Sequence, residues 1–161
     1  MPKGLFWRCH PLDSYAGAVF GLAYAPGGGR LASSAFTRDP QPRGEVKVWD
    51  LTEDQAFRAR RAHFGPVIGL ALSPDGRRLA TGGRTSPARV WELADSETSV
   101  LELFGRTSDI ADIAYSPTGA RLATAGLDGR VTVWDAASGD PLLVVQGRGE
   151  HRRPGAALDR A

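Results

Sequence analysis

Trp49, Trp91 and Trp134 stand 42 and 43 residues apart, and each closes a similar apolar run: VKVWD, ARVWE and VTVWD. A proline turn lies upstream of each, at Pro26, Pro74 and Pro117. A unit repeated at about 40–45 residues cannot bury its apolar face alone and has to stack on its neighbours. That requirement restricts the chain to repeat architectures before any other property is considered.

The unit is clearest between Asp109 and Asp135. Three short runs, Ile110–Tyr115, Arg121–Ala125 and Arg130–Trp134, are separated by Ser116-Pro117-Thr118-Gly119 and by Asp128-Gly129. Ser-Pro-x-Gly is turn chemistry, because proline presets φ and glycine supplies a positive φ. Asp-Gly between alternating runs predicts a tight two-residue hairpin turn with φ > 0 at both central positions. Three antiparallel strands follow, with a fourth at Pro141–Gln146. The same order recurs in VIGLALSPDGRRLATGGRTSPARVWE, from Val67 to Glu92. It recurs again between Val19 and Asp50, beginning VFGLAYAPGGGRLASS.

At these residues the chain resembles the WD40 repeat family, from about Val19 to Gly147. The resemblance implies an all-β fold of WD40-type β-propeller blades: three four-stranded antiparallel sheets at about 19–62, 63–105 and 106–147. Closed propellers have typically 4–8 blades, so three copies imply an incomplete, open propeller. The terminal copies are patterned like the middle one and carry no polar cap, so their outer faces need a covering. That covering is the remaining blades of a longer chain, the first expectation, or a second copy of this one; the third alternative is a truncated product that is marginally stable alone. Residues 1–18 hold one candidate strand, Leu5–His10, which either clasps a ring shut or is left from an upstream blade. Residues 148–161 lack apolar alternation and are expected to form a disordered tail.

Copy one is irregular. Ser33 to Trp49 spans 16 residues, whereas Thr81 to Trp91 and Thr124 to Trp134 span 10 each. The excess falls in Ala35–Gly44, AFTRDPQPRG, whose prolines, glycine and charges read as a surface loop.

The resemblance also implies a buried chain of histidine, strand-two hydroxyl, turn aspartate and strand-three tryptophan. Copy two supplies His63, Thr81 and Trp91, with Thr85 at the aspartate position. Copy three supplies Thr124, Asp128 and Trp134, with Arg106 at the histidine position. Copy one supplies Ser33 and Trp49, with Tyr15 at the histidine position. No copy has all four groups, so sheet packing is expected to carry the fold and the network to be vestigial.

Composition limits the function classes. The charge is only +2, and the basic residues are dispersed rather than interleaved with aromatics, so no nucleic-acid partner is expected. No apolar run reaches the roughly 18 residues of a membrane span, so no membrane partner is expected. One cysteine, Cys9, excludes an intramolecular disulfide framework and suits a reducing compartment, with the cytoplasm as the expected location. His10, His63 and His151 have no ligand spacing, and no carboxylate pair suggests acid–base chemistry. Gly27-Gly28-Gly29 lies between strands, not before a helix, and is a hairpin turn rather than a phosphate loop. No catalytic residue, metal or cofactor is expected.

What remains is a non-catalytic protein-interaction scaffold, which the resemblance implies by analogy. If the family's top face is used, the contacts fall at Pro66, Arg84, Asp109, Asp112 and Leu127. The alternative is a structural subunit whose function is self-assembly into a ring. A propeller hydrolase would require acidic or histidine side chains converging on the axis, and the inner strands offer mainly Gly, Ala and Leu.

Overall fold

The computed structural model describes residues 17–38, 42–51, 57–84, 86–94, 99–105 and 109–147. The strand expected at Leu5–His10, the tail at 148–161, and the positions Tyr15, Thr85 and Arg106 lie outside the described residues.

Among the described residues, twelve strands form three antiparallel sheets, each with its strands in chain order. The first sheet holds β1 (Ala18–Tyr24), β2 (Arg30–Thr37), β3 (Arg43–Asp50) and β4 (Phe57–His63). The second holds β5 (Val67–Leu72), β6 (Arg78–Gly83), β7 (Ala88–Glu92) and β8 (Ser99–Leu103). The third holds β9 (Ile110–Tyr115), β10 (Arg121–Gly126), β11 (Arg130–Asp135) and β12 (Pro141–Gln146). These are blades of an open array; no barrel closes among the described residues.

The proline turns work as their residues require. Gly28, Gly76 and Gly119 have φ of 70°, 69° and 75°. Each donates its N–H to the carbonyl three residues back, at Ala25, Ser73 and Ser116. The Asp-Gly turn is different from the two-residue form. Leu127, Asp128 and Gly129 together make a three-residue loop, with a positive φ of 81° at Gly129 and its N–H on Gly126 O at 3.1 Å. Three-residue hairpin loops place the left-handed residue last, which is where this glycine sits.

The extra residues of copy one are strand more than loop. Phe36 pairs with Gly44 and Thr37 with Arg43, so β2 and β3 each run to eight residues. Ala35 and Thr37 are buried. Ser34, Ala35, Phe36 and Thr37 continue the ladder, paired with Val46, Glu45, Gly44 and Arg43.

The sheets stack through their first strands, with β1 beside β5 and β5 beside β9. Glycine allows the approach. A Cβ on Gly21 would lie 3.0 Å from the Ile68 carbonyl oxygen, and one on Gly69 3.0 Å from the Asp112 carbonyl carbon.

Each junction joins unlike faces. Between the first two sheets, Val67, Leu70, Leu72, Leu79, Trp91 and Leu93 of the second meet the small side chains Ala23, Ala25, Ala32, Val46 and Val48 of the first. Between the second and third, Ile110, Ile113, Tyr115, Leu122 and Trp134 meet Ala71, Ala80, Ala88 and Val90, with Leu101 and Leu103 from the outer strand. Large side chains filling against Ala and Val bury the seam.

Candidate interaction site

The antiparallel order brings one set of connections to one end of the stack: those after β2, β4, β6, β8 and β10. Four of the expected contact residues stand there and are joined in series. The Arg84 N–H donates to Pro66 O at 3.2 Å. The Arg84 guanidinium donates through Nε to Asp109 Oδ2 at 3.0 Å, crossing from the second sheet to the third. The Leu127 N–H donates to Asp109 O at 2.9 Å. Pro66, Arg84, Asp109 and Leu127 therefore form one continuous rim over two sheets. Asp112 is not part of it. It stands two residues into β9, exposed, with Oδ1 accepting from the Ile113 N–H at 2.8 Å.

The rim carries exposed aromatics that the sequence reading passed over. Phe64 follows β4 directly and is 85% exposed; Phe104 follows β8 directly and is 75% exposed. The usable signal was the Phe-Gly pair repeated after the first two outer strands, Phe64-Gly65 and Phe104-Gly105. Leu127 is exposed as well. Aromatic and apolar side chains held in water by a rigid sheet are what protein interfaces draw on for their anchors.

Beneath the rim lie the polar side chains of the expected network. His63, at the end of β4, reaches across to the second sheet, where Nε2 lies 2.9 Å from Thr81 Oγ1. The Trp91 indole N–H donates to the same hydroxyl oxygen at 2.9 Å. The other two sheets keep only the shorter pair: Trp49 Nε1 donates to Ser33 Oγ at 2.9 Å, and Trp134 Nε1 to Thr124 Oγ1 at 2.9 Å. Asp128 bonds within its own turn, its Oδ1 accepting from the Arg130 N–H at 3.1 Å.

Burial, with the nearby Arg89 guanidinium, pushes the His63 pKa down from 6.5 to about 4. The imidazole is neutral at pH 7, and its Nδ1 is buried without a partner among the described residues. A buried neutral ring on a hydroxyl that also accepts from an indole N–H is a structural pin. Among the described residues no three His, Cys, Asp or Glu side chains converge as a metal would need.

A family model described as "WD domain, G-beta repeat" matches residues 56–92 and 97–135. Each match straddles two sheets, taking the outer strand of one (β4 or β8) and the first three strands of the next. His63 sits at that crossing. No curated protein matches the chain.

Proposed function

Since the chain belongs to the WD40 repeat family, we propose that it is a non-catalytic scaffold that binds another protein with the rim end of its stacked sheets. WD40 repeats generally mediate protein–protein interaction. The finer reading rests on one observation: Phe64, Phe104 and Leu127 stand exposed at the same end as the Arg84–Asp109 bridge. Apolar anchors beside a cross-sheet ion pair offer a desolvating centre with a polar rim, the usual division of labour in such interfaces.

Photocrosslinking tests this. A photoreactive residue at position 64 or 104 should trap a protein in cell extract, and one at exposed Thr118, at the opposite end, should not. Combined Phe64→Ser and Phe104→Ser substitutions should abolish capture by a crosslinker at position 127. Undiminished capture by that double variant would overturn the reading.

A further inference from the structure

The stack ends in two unlike faces, and each is the counterpart of the other. Alignment of the three sheets places Val19, Leu22, Tyr24, Leu31, Trp49 and Leu51 of the first where Val67, Leu70, Leu72, Leu79, Trp91 and Leu93 stand in the second. In the second sheet this large-residue face is buried. In the first it faces water, with Leu22 67% and Tyr24 64% exposed. At the other end, Ala123, Ala125, Val131, Val133, Leu143 and Val145 of the third sheet match Ala80, Gly82, Ala88, Val90, Leu101 and Leu103 of the second. There too the second sheet is covered and the third is not: Leu103 is 2% exposed, Val145 51%.

We propose that these two faces are halves of a single interface and that the occupant is a second copy of this chain, stacked head to tail. The large-residue face of one copy's first sheet would lie on the small-residue face of the other's third sheet, and reciprocally, so that two copies close a ring. The support is continuity with the two seams already present. Both internal junctions are large face on small face, and joining the free ends repeats that pairing a third time. A polar series points the same way. Arg30, at the start of β2, donates across the first seam to Gly76 O at 2.8 Å. Arg78, at the start of β6, donates across the second to Ala136 O at 3.1 Å. Arg121, at the start of β10, holds the third place in that series, exposed, with no further sheet to reach among the described residues. Head-to-tail contacts make rings only when the rotation closes and filaments otherwise. One position works against the fit. Asp112 stands where Gly21 and Gly69 admit the neighbouring strand, so its side chain crowds the inner edge of the proposed seam.

Sedimentation equilibrium of the whole chain decides the matter. The expected mass is twice the 17.2 kDa of one copy. Leu22→Asp and Ala123→Arg should each return it to a single copy. A mixture of the two variants should restore the doubled mass, because it retains one intact seam and sets opposite charges at the other; an unfolded variant could not do this. Asp112→Gly should lower the dissociation constant, by about tenfold. A wild-type mass of one copy, a doubled mass that survives either substitution, or a mass above two copies overturns the proposal. These residues are separate from the rim, so Phe64→Ser should leave the mass unchanged whether or not the rim binds a partner.

Discussion

The second and third sheets carry nearly the same strand, RLATGG in β6 and RLATAG in β10, in different surroundings. Every residue of β6 after Arg78 is buried, whereas β10 alternates between buried and part-exposed positions. Ala80 is sealed and its counterpart Ala123 is not. The difference is supplied by the neighbour: among the described residues the second sheet is covered on both faces and the third on one. In a stack of this kind, what a side chain contributes depends on the place of its sheet more than on its own chemistry.

The largest test of that rule uses the tryptophans of the three repeats, Trp49, Trp91 and Trp134. Trp91→Ala and Trp134→Ala empty sealed seams and should each cost about 3–5 kcal/mol in urea denaturation. Trp49→Ala, on the uncovered face, should cost under about 2 kcal/mol in the monomeric Ala123→Arg background. Equal costs at all three would break the comparison.

Acid should act next most strongly, through His63. The folded pKa of about 4 lies below the unfolded 6.5, so the unfolded chain binds the proton first. Stability is therefore full above pH 6.5 and falls as pH drops towards 4, by about 3 kcal/mol over the window. Chemical denaturation across that range should show the slope, and His63→Gln should flatten it.

The smallest effect compares the two threonines. Thr81→Val strands both the Trp91 indole and His63, and should cost about 1–3 kcal/mol. Thr124→Val strands only the Trp134 indole and should fall near the lower end, about 1 kcal/mol. If the two losses coincide, His63 contributes nothing through its hydroxyl partner.

Much of the architecture was legible in the sequence because it is written locally. Alternating runs, Pro-x-Gly turns and the terminal tryptophans specify strands and their order, and β9, β11 and β12 begin where their patterns begin. The Asp-Gly loop and the Ala35–Gly44 stretch came out differently for one reason. How far a ladder continues depends on cross-strand partners such as Phe36 and Gly44, and these are invisible along one strand. The candidate site was half legible. Pro66, Arg84, Asp109 and Leu127 follow from repeat position, but Phe64 and Phe104 do not. An aromatic beside a glycine reads equally well as core until the stack shows it facing water.

Strictly sequential strand order has a kinetic and mechanical consequence. Each sheet can zip up from its own hairpins before any long loop is closed, so assembly should propagate from sheet to sheet rather than wait for a global nucleus. Loss of an outer sheet then dissolves one seam and leaves the other standing. Loss of the central one dissolves both, and opening of the molecule should begin by fraying at its margins.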